Sequence, residues 1–76
     1  MDIKVIGIDL AKNVFQVCVC LTDNTIKSNQ KISKSKFLDK LRQFPQGSLI
    51  AMEACGSSHY WGRLLQELGY QVRLIP

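Results

Sequence analysis

The chain is short of every feature that would set it apart from ordinary globular proteins. No apolar run approaches the ~20 residues that a membrane helix needs, so a spanning segment is not expected. Asp2 and Lys4 stand among strand-forming neighbours, which is not the pattern of a signal peptide. Cysteine is scarce and odd in number: of three, Cys18 and Cys20 lie in an apolar run. That argues against a disulfide framework and for a reducing, cytoplasmic setting. With two prolines and five glycines there is no linker or low-complexity segment, and no repeat is evident. Acids are few as well, six against ten Lys and Arg, for a net charge of +4.

What remains is 76 residues with 46% hydrophobic and 21% charged side chains, an ordinary balance for one small domain or a piece of a larger one. A core of this size is marginal by itself. The positive charge is concentrated: Lys27, Lys31, Lys34, Lys36, Lys40 and Arg42 face a single acid, Asp39, across that segment. Such a segment can face phosphates, or can simply be a solvated edge strand and helix face.

Ile3 to Leu10 is rich in Ile and Val on both alternating sets, which predicts a strand covered on both faces. "LAKN" is a tight connection. In "VFQVCVCL", Val14 to Leu21, Phe15, Val17, Val19 and Leu21 share one face while Gln16, Cys18 and Cys20 share the other. "TIKSNQKI" is a more polar third strand whose Lys27 and Lys31 suit an edge. The period then changes. Phe37, Leu38, Leu41 and Phe44 predict an amphipathic helix, with Ser33 or Ser35 available as cap and Pro45 and Gly47 as its end. "SLIAMEA" is a fourth strand. "SSHYWGRLLQELG" is a second helix with Trp61, Leu64, Leu65 and Leu68 on its apolar face and Gly69 as its stop, and "YQVRLIP" is a fifth strand.

The order strand, strand, strand, helix, strand, helix, strand predicts a mixed α/β sheet, since strand–helix–strand units favour parallel pairing with right-handed crossovers. The economical arrangement sets the first, fourth and fifth strands side by side and parallel, with the second and third antiparallel on the other flank. That is the ribonuclease H-like layout.

In this layout Asp9 and Glu53 share one structural address, each closing an apolar strand at its carboxyl end. Adjacent strands lie roughly 4.8 Å apart, close enough for two carboxylates to share a cation. The crevice beyond carboxyl strand ends is also where open α/β sheets bind ligands. Left alone, two such acids repel, and hard oxygen ligands suit Mg²⁺ or Mn²⁺. Taken singly, Asp9 can instead initiate the turn that follows it, and Glu53 can be a solvated residue past a strand end.

The motifs reach further than the spacing. "GIDLAK" at Gly7–Lys12, "AMEACGSSHYW" at Ala51–Trp61 and "RLIP" at Arg73–Pro76 resemble the N-terminal domain of bacterial insertion-sequence transposases of the one-ten type. These are DEDD transposases, related to the Piv/MooV DNA invertases, with a RuvC-like catalytic domain. The resemblance covers essentially the whole chain, residues 1–76, and implies that Asp9 and Glu53 are the first two acids of a metal-binding tetrad. It further implies that two aspartates and a domain with a serine nucleophile lie downstream, so that this chain is a truncated RuvC-like domain, inactive alone. The implied activity of the intact protein is Mg²⁺- or Mn²⁺-dependent DNA strand cleavage and exchange, directed by a structured guide RNA.

Several other residues invite a role. Lys12 can touch a phosphate, hold Asp9 by charge, or be a solvated turn lysine. His59 with Ser57 and Ser58 can approach a phosphate at a helix N-terminus, and either serine can merely cap that helix. Lys34 and Lys36 are further candidates for nucleic-acid contact. Trp61 is expected in the core rather than stacked on a base. Cys18 and Cys20 are expected to act as buried apolar residues rather than zinc ligands. Two other classes share the topology. Actin-like and sugar-kinase ATPases open with a strand, Asp and hairpin, but place glycines where this chain has "LAKN". A non-catalytic assembly or RNA-binding module would use the basic segment alone. A sheet face left bare would drive association into a dimer or larger species.

Overall fold

A computed structural model describes residues 2–76. Strands β1 (Ile3–Leu10), β2 (Val14–Leu21) and β3 (Ile26–Ser33) are followed by a single 3-10 turn, Lys34–Lys36, and helix α1 (Phe37–Leu41). Strand β4 (Leu49–Glu53), helix α2 (Ser58–Glu67) and strand β5 (Gln71–Ile75) complete the chain. The five strands form one sheet in the order β3-β2-β1-β4-β5. β1 pairs antiparallel with β2 and parallel with β4, β2 pairs antiparallel with β3, and β4 pairs parallel with β5. This is the predicted arrangement, consistent with a ribonuclease H-like fold. No helix among the described residues is long and apolar enough to cross a membrane.

Both helices lie on one face of the sheet, which corrects the expectation that β1 is covered on both sides. The reason is topological. β3 and β4 run in the same direction, as do β4 and β5, and both connections step the same way across the sheet. Right-handed crossovers must then place α1 and α2 on a common face. That face carries Ile6, Ile8, Phe15, Val17, Ile50 and Met52, all buried against Phe37, Leu41, Trp61 and Leu65 from the helices. Phe15, Phe37 and Trp61 meet edge to face, with ring centroids 4.7, 5.3 and 5.2 Å apart. Each such pair adds about 0.5–1.5 kcal/mol beyond burial. Trp61 is therefore a core residue, as expected. Among the described residues no helix lies over the opposite face, with Val5, Gly7, Cys18, Cys20 and Ala51, and its central residues are only half-buried. Cys18 and Cys20 are thus half-buried thiols rather than core residues.

The first helix is shorter than its periodicity predicts, at five residues after the 3-10 turn. Lys34, Ser35 and Lys36 supply no apolar anchor, and two cations at a helix N-terminus oppose its dipole. Neither Ser33 nor Ser35 caps it; their hydroxyls lie 3.4 Å from one another. At the other end the residue before Pro45 is biased away from helical backbone. The amides of Gln43 and Phe44 accordingly bond three residues back, to Lys40 and Leu41. The buried Tyr70 hydroxyl donates to the Leu41 carbonyl and lies 3.0 Å from that of Phe44, so a side chain next to β5 closes the end of α1. Gly69, at φ +100°, takes the left-handed conformation that ends α2.

Candidate functional site

The acid pair follows from strand register. β1 and β4 are matched at Ile6 with Ile50, Gly7 with Ala51 and Ile8 with Met52. One step further along both strands stand Asp9 and Glu53. Strand alternation puts both on the face of Gly7 and Ala51, the side without helices. Both are exposed. Each end is pinned: Asp9 is paired with Gln16 of β2, while Glu53 is paired with Ile75 and followed by an Ala54 amide donating to the Ile75 carbonyl at 2.7 Å. Among the described residues neither carboxylate has an ion-pair or side-chain hydrogen-bond partner.

Two unpartnered, solvent-facing carboxylates on adjacent strands make a donor set that fits Mg²⁺ or Mn²⁺, which favour hard oxygen ligands and retain several waters. The set is incomplete. Among the described residues no group of three or more His, Cys, Asp or Glu converges as metal ligands. Beside Asp9 lies a shallow recess of about 300 Å³ whose lining includes Gln16 and Lys31. Gln16 is absent from the candidates above and Lys31 enters there only through the basic segment, yet counting back from the β1–β2 turn sets Asp9 against Gln16, and Gln16 against Lys31.

A second cleft, of about 380 Å³, opens on the helix side of the same sheet end. Lys12 and Lys34 line it together with Gly56 and Ser57, over a floor of Phe15 and Trp61. Lys12 and Asp9 form no ion pair and border different recesses, so of the readings open to Lys12, holding Asp9 by charge has no contact behind it. Ser58 is fully buried: its hydroxyl accepts from the Cys55 amide at 3.0 Å and donates to the Cys55 carbonyl at 2.8 Å. It locks the turn before α2 and is closed to ligands. Ser57 occupies the cap position of α2 without a side-chain cap bond. His59 lies elsewhere, in a recess against β5 with Arg63, Gln66 and Val72. Lys36 borders a depression with Ile32, Asp39 and Lys40. The cations of the basic segment are spread over several recesses: Lys31 and Lys34 border one each, Lys40 borders both that of Lys27 and that of Lys36, and Arg42 lies 3.7 Å from Asp39.

The mixed sheet sets two exposed acids, Asp9 and Glu53, at adjacent carboxyl strand ends. The relatives narrow the setting. The chain is 47% identical over 75 residues to a protein of Pseudomonas aeruginosa described as "Probable family 20 transposase", covering 99% of this chain and 22% of that one. It is 30% identical over 74 residues to the transposase for insertion sequence element IS1111A of Coxiella burnetii, covering 97% of this chain and 20% of that protein. With the transposase for insertion sequence element IS1328 of Yersinia enterocolitica it shares 35% identity over 75 residues, 97% of this chain and 22% of that protein. These relatives indicate a bacterial insertion-sequence transposase family. The chain spans about a fifth of the length of the curated relatives it matches. No family model matches it, and no solved structure does.

Proposed function

We propose that this chain is the part of an insertion-sequence transposase that contributes two ligands, Asp9 and Glu53, to a RuvC-like, DEDD-type metal centre for DNA strand cleavage and exchange. The observation that carries the reading is the register of β1 and β4, which brings two acids to adjacent strand ends on one open face. When bound, a divalent ion supplies charge neutralisation for the attacking and leaving oxygens of a phosphodiester. The chain's own residues do the rest. Asp9 and Glu53 orient the ion through carboxylate oxygens, while Lys12, Lys34 and Ser57 on one side and Lys36 and His59 further out are candidates for contact with nucleic acid. The two further aspartates and the serine nucleophile of the resemblance would come from the four-fifths of the relatives' length that this chain does not match. A guide RNA enters this reading through the resemblance alone. The helix-free face, flanked by the exposed Ile26 and Ile75, supports self-association of the isolated chain.

The test is a Mn²⁺ titration of the wild-type chain, Asp9→Ala and Glu53→Ala by electron paramagnetic resonance. Saturable binding by the wild type that each substitution removes is the expected result. Binding unaffected by either substitution sinks the reading, and tight ATP binding would favour the actin-like ATPase alternative. DNA cleavage is not expected from the isolated chain.

A further inference from the structure

We infer that the helix-side cleft between Lys12 and Lys34 is a seat for a DNA phosphate that works without metal, back to back with the acid pair across the β1–β2 turn. The inference rests on the proposal above that the chain handles DNA, and it separates what holds the strand from what acts on it.

The two lysines meet because of the sheet. β3 runs in the direction of β1 and ends with Ser33 paired to Val14, and the Lys34 amide donates to the Asn13 carbonyl at 2.9 Å. Lys34 is thereby fixed beside the turn that carries Lys12. The cleft they border contains two cations and no acid. Among the described residues neither lysine has an ion-pair partner, so both charges are available to an anion. The facing wall leaves room: a Cβ placed on Gly56 would meet nothing within 4 Å, so the backbone there is open to close approach. The floor is the buried aromatic pair Phe15 and Trp61, which is rigid rather than available for stacking.

The relation to the acids gives the cleft its purpose. Ala11 lines both this cleft and the recess beside Asp9, so only one turn separates them. A strand draped over that turn presents one phosphate to the lysines and a neighbouring one to the carboxylates. The carboxylates repel DNA until a cation neutralises them, whereas the lysines attract it with or without a bound cation. Of the residues considered for nucleic-acid contact, Lys12, Lys34 and Ser57 belong to this seat, Lys36 and His59 lie outside it, and Ser58 is buried.

The test is fluorescence anisotropy with labelled single-stranded DNA, in EDTA and in Mn²⁺. Lys12→Glu with Lys34→Glu is expected to weaken binding about tenfold or more at 0.1 M salt, and to lower the slope of log affinity on log salt by about one to two. The loss is expected equally in EDTA and in Mn²⁺. Lys12→Gln with Lys34→Gln, which keeps polarity without reversing charge, should lose less. Lys4→Glu with Lys27→Glu makes the same change in net charge at the opposite end of the sheet and should lose far less. Equal losses for the two charge-reversed pairs, wild-type binding that vanishes in EDTA, or no binding at all would overturn the inference. Tighter binding of RNA of the same sequence would overturn the assignment to DNA. Lysine-dependent DNA binding by a chain that takes up no Mn²⁺ would refute the metal proposal and leave this one standing. Mn²⁺ uptake with no dependence on the lysine pair would do the reverse.

Discussion

If Asp9 and Glu53 are held side by side for a cation, the metal-free chain carries an avoidable repulsion, and Asp9→Asn should make it more stable. Adjacent strands lie about 5 Å apart, and that spacing is taken as the separation of the two charges. Because both side chains are exposed, the dielectric is that of water, and the repulsion is about 0.8 kcal/mol. At 0.15 M salt the Debye length of about 8 Å reduces this to roughly 0.4 kcal/mol. Unfolding entropy for a chain of 76 residues is about 0.16 kcal/mol/K, so Tm should rise about 3 °C at 0.15 M salt and about 5 °C near zero salt. Mn²⁺ at tenfold its Kd adds about 1.4 kcal/mol to the wild type, and the variant should gain little of it. Thermal melts followed by circular dichroism, with chelator and with Mn²⁺, should therefore show the order of stability reversing. A variant less stable than wild type in chelator, or equal stabilisation of both by Mn²⁺, would show that the two acids do not share an ion.

The packing sets further outcomes. Tyr70→Phe removes the hydroxyl that serves the Leu41 and Phe44 carbonyls at the end of α1, and should cost about 1–3 kcal/mol in denaturant unfolding; an unchanged midpoint would dismiss that role. Burial holds the Tyr70 phenol above its ordinary value of 10.0, so its contribution is fully present below about pH 10 and is lost as pH rises beyond it. The stability gap between wild type and Tyr70→Phe should close in that range. Gly62→Ala places a methyl at ordinary contact distance, 3.5 Å from Val72 and 3.7 Å from Met52, in the middle of α2, and should raise stability by about 0.5–1 kcal/mol; a lowered midpoint would show that the helix cannot accept it. Light scattering should find a dimer or larger species that Ile75→Lys, at the rim of the helix-free face, shifts toward monomer; a monomeric wild type at high concentration would count against self-association.

The sheet was legible because its signals are local. β1 and β2 begin and end at the residues that alternation and turn chemistry specify, and crossover handedness orders the rest. The address of Asp9 and Glu53 follows from that order. What was not legible depends on how elements meet. Apolar residues on both sides of β1 imitate a doubly covered strand, yet both crossovers land on one face and leave Val5 and Gly7 without a helix above them. Four apolar positions suggest a long first helix, but Lys34 to Lys36 offer the core nothing to bury, and the helix contracts to Phe37–Leu41. Serine hydroxyls are small and free to rotate, so the sequence could not say that Ser58 would turn back to Cys55 instead of capping α2. The meeting of Lys12 with Lys34 is encoded only in the pairing of Val14 with Ser33, across 22 residues of chain.

The claim on which the account depends is that Asp9 and Glu53 hold one ion between them. Paramagnetic broadening by substoichiometric Mn²⁺ in the amide spectrum locates that ion directly. Ile8 to Leu10 and Met52 to Ala54 should broaden first and together, while Lys4 and Lys27 at the far end of the sheet stay sharp. Broadening centred on Asp2, Asp23 or Asp39, or on only one of the two strand ends, would contradict the claim.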